Sequence, residues 1–169
     1  MLALARIEQL RQQGDAGALD WAAAARTVAL ELAPLIAERQ LDFDIETVPA
    51  VIRAHDWALR ELTRNLLHNA IKHTPPGGRL SVRLASAAGT ATLTIADSGP
   101  GIAPELRQRL FQPFSAGNLS SGSGLGLAIC LEIARSLGGR ISVDDRLRSG
   151  RVEGLDAVVE LPLADNPPR

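Results

Sequence analysis

A two-layer α+β sandwich, with a mixed and largely antiparallel sheet and helices packed on one face, is the fold class this sequence predicts. Three observations lead there. The chain has 169 residues, 46% of them hydrophobic, enough for one compact core and short for two. Stretches of period-two and period-3.6 hydrophobicity interleave along it. Several of the period-two stretches are joined by connections too short for a helix, which favours hairpins over a doubly wound parallel arrangement.

Residues 1–13 (Leu2, Leu4, Ile7 and Leu10 at helical spacing) read as the tail of an amphipathic helix with no capping residue before it. Gly14 to Ala18 reads as a turn. Asp20 is placed to cap a helix reaching about Arg39, with Val28, Leu32, Leu35 and Ile36 inward and Pro34 expected to kink it. Residues 41–46 alternate strictly, the mark of a half-buried strand, and Ala50 to Arg53 suggests a short partner for it. Asp56 is expected to cap a long helix ending near His73, closed by Thr74-Pro75-Pro76-Gly77-Gly78. Leu80, Val82 and Leu84, then Ala91, Leu93 and Ile95 after a turn at Gly89, form a hairpin. Pro104 to Leu110 suggests a short helix inside the glycine-bearing stretch 97–125, and Gly126 to Leu137 a longer one. Ile141 to Val143 and Ala157 to Leu161 are the last strands, bridged by a polar loop, with a fraying tail from Ala164. No internal repeat is present.

The formal net charge of −1 argues against a nucleic-acid partner. A single cysteine, Cys130, excludes an internal disulfide framework and a multi-cysteine zinc site, and fits a reducing compartment. No apolar run approaches the roughly 18 residues of a membrane span, and the opening residues are charged too soon for a secretory signal. A cytosolic domain without membrane contact is expected.

Three segments carry chemistry. On the helix from Asp56, the residues Glu61, Asn65, Asn69 and His73 recur at steps of four, along one drifting polar stripe. Asparagine competes for backbone hydrogen bonds and suits a helix interior poorly, so two of them one turn apart call for a reason. A solvated outer face would show the same stripe; a row of amides lining a cleft could hold a cation or phosphate oxygens. Next, Asp97-Ser98-Gly99-Pro100-Gly101-Ile102 follows directly on a strand. An ionised aspartate only accepts hydrogen bonds, so at a ligand it would select an exocyclic amine, although an ordinary Asp-Gly turn has the same sequence. Last, Gly122-Ser123-Gly124-Leu125-Gly126-Leu127 runs into a helix, where converging N–H groups and the helix dipole suit phosphate. Its spacing is neither the dinucleotide fingerprint nor a P-loop.

In this order and spacing the segments closely resemble the signature boxes of the ATP-binding domain shared by histidine kinases, DNA gyrase, the large heat-shock ATPases and mismatch-repair ATPases. N-L-L-H-N-A-I-K-H-T-P resembles the N box, D-S-G-P-G-I the first glycine box, L-F-Q-P-F (Leu110 to Phe114) the F box, and G-S-G-L-G-L-A-I the second glycine box. The resemblance covers about residues 20–163. It implies the Bergerat-type version of the predicted sandwich, an ATP-binding domain over 14–163, a remnant of a dimerisation or phosphoacceptor helix over 1–13, and a disordered tail over 164–169.

Position by position, the resemblance implies that Asn69 coordinates the Mg²⁺ that bridges the ATP phosphates, with Asn65 beside it on phosphate or metal-bound water. It implies that Lys72, the only lysine in the chain, reaches a phosphate, and that His73, where relatives more often have tyrosine, stacks beside the nucleotide. Asp97 would accept from the adenine amino group, with Gly99, Gly101 and Ile102 shaping its pocket. Gly122, Ser123, Gly124, Leu125, Gly126 and Leu127 would close a lid, residues 103–123, onto the phosphates, anchored by Phe111 and Phe114. The chain departs from the pattern after the F box, where Ser115-Ala116 replaces an aromatic and an arginine; Arg107 and Arg109 stand nearby as substitute cations.

The hydrolysing branches of this family resemble one another in a glutamate four residues before the metal-binding asparagine. Here that position is Asn65, which has no titratable group to serve as a base. The resemblance therefore points to the histidine kinase branch: transfer of the γ-phosphoryl to a histidine on a helical dimerisation domain, with a response regulator downstream. None of His55, His68 and His73 sits in a phosphoacceptor context such as H-E-L-R-T-P, so the acceptor is expected upstream of residue 1 and the full protein in the inner membrane. Two other readings are a nucleotide-gated docking module without catalysis and a protein-serine kinase of the anti-sigma-factor type.

Overall fold

A computed structural model describes residues 16–107, 111 and 126–164 of the chain. The leading helix expected over 1–13 lies outside them, as do residues 165–169.

The first described element overturns an expected turn. Gly17–Asp20 is a strand, β1, paired antiparallel with β3 (Val51–Ala54) in a sheet of its own. The Ala50–Arg53 segment is thus not the partner of residues 41–46. Gly-Ala-Leu-Asp has turn composition, and only its pairing with a segment over thirty residues later makes it a strand. Asp20 then caps helix α1 (Trp21–Glu38) as expected, its carboxylate accepting from the Ala22 N–H at 3.0 Å and from the Ala50 N–H at 3.1 Å. Val28, Leu32 and Ile36 are buried; Leu35 faces outward at 36% exposure, contrary to its expected place in the core. The helix continues through Pro34. The carbonyl deprived of a donor belongs to Leu30, which is 76% exposed, so water can satisfy it.

Strand β2 (Asp42–Thr47) pairs in parallel with β4 (Arg79–Ala87), the chain returning through β3 and helix α2 (Asp56–His73). Asp56 is not the cap of that helix. His55 occupies the cap position and makes no side-chain cap bond; Asp56 is the first helical residue and pairs with Arg60 at 3.2 Å. A carboxylate there, and Lys72 in the last turn, complement the helix dipole. β4 and β5 (Thr90–Asp97) form the expected hairpin.

Helix α3 is the single turn Pro104–Arg107, and α4 runs Gly126–Ser136. The expected polar loop after Val143 is instead mostly strand. β6 (Arg140–Arg148) and β7 (Arg151–Pro162) make a long hairpin turning at Ser149-Gly150. Its outer half carries charge rather than apolar alternation, and cross-strand pairs such as Arg148–Glu153 at 3.4 Å hold it together.

The main sheet has the order β2-β4-β5-β7-β6, antiparallel except at β2–β4. Leu80, Val82, Leu93, Ile95, Val159 and Leu161 point from it toward the helices, where Leu59, Leu62, Leu66 and Ile71 of α2 and Ile133 of α4 complete the core. Alternate residues such as Arg83 face the opposite, helix-free side, where Arg83 pairs with Asp44 and Glu46. The mixed, largely antiparallel sheet with helices on one face is the predicted sandwich.

Candidate functional site

Where α2 crosses the sheet, the apolar contact is incomplete. A cleft opens between Leu66 and Ala70 of the helix, Ile95, Val143, Leu155 and Ala157 of the sheet, and Leu127 of α4. Two polar residues enter it, Asn69 from the helix and Asp97 from the end of β5. Counted out to its open mouth, the space is about 280 Å³.

Asp97 is 3% exposed. Burial pushes its carboxyl above the usual aspartate range; the backbone of Gly99 and Leu155, then His73 and Arg146, act in the opposite sense. Its Oδ1 accepts from the Gly99 N–H at 2.8 Å, which folds the chain back against α2. A Cβ on Gly99 would stand 2.5 Å from the His73 carbonyl oxygen, so this approach of loop to helix end needs glycine. Ser98 is pinned beside it, its hydroxyl accepting from the Arg79 N–H at 2.8 Å. Gly101 turns the loop with φ of 79°, and the Ile102 N–H donates to Asp145 Oδ1 at 2.9 Å.

The other residues singled out in the sequence fall around this slot unevenly. Asn65 does not line it; its amide donates to Glu61 Oε1 at 3.3 Å. Lys72 and His73 close the helix beyond Asn69. Burial, then Lys72, lowers the pKa of His73, which favours the neutral ring at neutral pH. Gly126 opens α4 and Leu127 forms part of the cleft wall. Phe111 is half-buried in a turn and Arg107 ends α3. Arg109, Phe114, Ser115, Ala116, Gly122, Ser123, Gly124 and Leu125 lie outside the described residues.

The sequence did not single out the hairpin β6–β7 as part of the site. Yet it supplies the cleft residues Val143, Leu155 and Ala157, and Asp145 and Arg146 bond the 97–102 loop. The available signal was the alternation from Ile141 to Val143, which stops where the charged half begins. Behind the cleft, Cys130 is fully buried and donates to the Leu62 carbonyl at 3.7 Å; burial raises its thiol far out of the reactive range. Among the described residues no three His, Cys, Asp or Glu side chains cluster as a metal site, and no helix is long and apolar enough to cross a membrane.

The cleft thus sets a buried carboxylate and an amide between a helix layer and a mixed sheet. Residues 55–165 match the family described as histidine kinase-, DNA gyrase B-, and HSP90-like ATPases, and the chain belongs to that family. It is 42% identical over 121 residues to the sensor histidine kinase Hik2 of Synechocystis, covering 64% of this chain and 28% of Hik2. It is 35% identical over 126 residues to the histidine-protein kinase/phosphatase MprB of Mycolicibacterium smegmatis, covering 72% of this chain and 26% of the relative. The chain thus spans about a quarter of the length of these curated relatives. A mycobacterial sensor histidine kinase MprB superposes with a TM-score of 0.77 at 31% identity over 88% of this chain and 97% of that one. The catalytic domain of histidine kinase ThkA, in a nucleotide-free form, does so with 0.79 at 25% identity over 89% and 97%. The domain is of the histidine kinase catalytic, ATP-binding type.

Proposed function

We propose that this domain binds Mg²⁺-ATP with its adenine in the cleft, and that it donates the γ-phosphoryl group to a histidine on a helical dimerisation domain outside the chain. The observation that carries the proposal is Asp97, buried at the floor of an apolar slot whose rim holds Asn69. In this reading Asp97 accepts from the adenine amino group, and the loop from Gly99 to Ile102 holds the edge of the base. His73 stacks beside the base, Lys72 meets a phosphate as a point charge, and the second glycine box with Phe114 covers the triphosphate.

In this reading the phosphates run past Asn69 along the polar stripe of α2. An amide oxygen there is a suitable oxygen ligand for Mg²⁺, an ion commonly held by few protein groups together with substrate phosphates. Without a carboxylate cluster among the described residues, that ion would arrive with the nucleotide. Bound there, Mg²⁺ would neutralise charge on the β- and γ-oxygens. The side chains orient the phosphates, exclude water from the apolar slot and leave the γ-phosphorus open to an outside nucleophile. Asn65 offers no base to activate water, which favours transfer over hydrolysis. The attacking imidazole nitrogen forms the P–N bond as the bond from phosphorus to the β,γ-bridging oxygen breaks, and ADP leaves. We place the domain on the cytoplasmic side, where ATP is, within a membrane receptor whose phosphoryl group passes on to a response regulator.

The test is to mix this chain with a separately expressed helical hairpin carrying its histidine and with γ-labelled ATP. Acid-labile, alkali-stable label on the hairpin is the expected result. Acid-stable label would indicate a serine kinase, and ATP binding without transfer a docking module. Asn69→Ala is expected to weaken binding about tenfold with Mg²⁺ present and much less with chelator. Equal losses in both conditions would falsify its metal role.

A further inference from the structure

We propose that Arg146, on β6 and outside the cleft, is a positioning residue that fixes the direction of the Asp97 carboxylate and so sets purine selectivity. The proposal rests on the adenine reading of Asp97.

Asp97 is the last residue of β5, paired with Leu155, and the chain leaves the sheet immediately after it. Its carbonyl is therefore at the end of the ladder, and Arg146 Nη2 donates to it at 2.8 Å. Two carboxylates hold the same guanidinium in place: Nη1 pairs with Asp156 and Nε lies 3.8 Å from Glu153 Oε2. A fork hydrogen-bonded to two acceptors and ion-paired with a third group can hold a peptide plane in one orientation, which a single flexible donor cannot.

The backbone is shaped to admit this fork. Arg146 stands opposite Gly154, and the register slips between Arg146 and Leu147. A Cβ on Gly154 would fall on the Asp97 carbonyl oxygen and stand 2.5 Å from Arg146 Nη2. The neighbouring Asp145 accepts from the Ile102 N–H at 2.9 Å. Two consecutive residues of β6 thus hold both ends of the 97–102 loop, Arg146 at the carbonyl of Asp97 and Asp145 at the amide of Ile102. The side chain of Asp97 hangs from the peptide so fixed, and its own partners are the Gly99 N–H, internal to the loop, and the backbone of Leu155, its neighbour across the ladder.

Selectivity follows from direction. A carboxylate aimed at the purine 6-position accepts from the adenine amine and opposes the 6-oxo acceptor of guanine. Once the peptide can rotate, both bases are met less well, and adenine loses more.

The test is calorimetry on the full 169-residue chain with a non-hydrolysable ATP analogue, its guanine counterpart and inorganic triphosphate. Arg146→Met keeps the apolar stem and removes the fork. It is expected to lower the adenine-over-guanine affinity ratio about tenfold and leave triphosphate binding unchanged, since one charge-assisted hydrogen bond is worth about that much. Equal weakening for both nucleotides, or an unchanged ratio, would show a merely structural role and overturn the proposal. Should the methionine variant not fold, Asp156→Asn loosens the anchor instead; a ratio lowered about two- to threefold is expected, and an unchanged ratio again overturns the proposal. A wild-type chain without adenine preference would overturn the adenine reading itself, and the role of Arg146 with it.

Discussion

An ionised aspartate in an apolar slot is costly to a chain that holds no ligand, and Asp97 makes this explicit. With its pKa raised by burial, the folded chain retains a proton over a range in which the unfolded chain has released it. Its contribution to stability is therefore full at low pH and lost as pH rises through the raised value. Ligand affinity runs the other way, because only the carboxylate accepts from an amine. Affinity for ATP should fall on acidification, starting at a higher pH than that at which an ordinary aspartate would protonate. Calorimetry showing a flat profile would contradict the adenine assignment. Asp97→Asn should lose ATP binding about ten- to a hundredfold while the nucleotide-free domain melts no lower than wild type, since the amide carries no charge to desolvate. This residue was legible in the sequence as a carboxylate at a strand end before two glycines. Arg146 was not, because nothing near it in sequence says that it will face Gly154 and reach the Asp97 carbonyl.

Among the elements, the seam between α2 and α4 and the hairpin β6–β7 bear most directly on the cleft. Ile133→Ala in α4 deletes a fully buried side chain from the core and should cost about 2–5 kcal/mol, read as a lowered denaturation midpoint with unchanged slope. Cys130, on the same buried face, should resist aromatic disulfide reagents until the protein unfolds; prompt labelling of the native chain would show that the seam opens. Gly154→Ala must displace the end of β5 and should abolish nucleotide binding even where the fold survives, checked by circular dichroism alongside calorimetry. The helices were legible because their apolar residues repeat at a helical period and Asp20 caps in plain view. The outer half of β6–β7 was not, since charged cross-strand pairs rather than alternating hydrophobicity hold it. β1 was hidden for a related reason: its strand character comes from a partner far along the chain.

At the scale of the molecule, the cleft-bearing strands β5 and β7 are interior to the sheet, while β2 and β6 form its edges. Backbone amides of β5 and β7 should exchange with solvent most slowly, and those of β2 and β6 sooner. The part of the cleft on β5 and β7 thus rests on the interior of the sheet, while Val143 and the loop anchors Asp145 and Arg146 sit on an edge strand. That the sandwich as a whole was legible follows from the short connection between β4 and β5, which permits only a hairpin. What the sequence could not supply was register: the parallel pairing of β2 with β4 depends on α2 carrying the chain across the sheet.

The placement of the aromatic residues has a practical consequence. The chain has two tryptophans and no tyrosine. Trp21 is fully buried and donates from its indole to Thr63 at 3.1 Å, and Trp57 packs at the start of α2, about 18 Å along the helix from Asn69. Intrinsic ultraviolet emission therefore originates at the seam of α1 and α2, away from the nucleotide slot. The domain carries its own optical gauge of integrity, one that reads whether α1 and α2 hold together rather than what occupies the nucleotide slot.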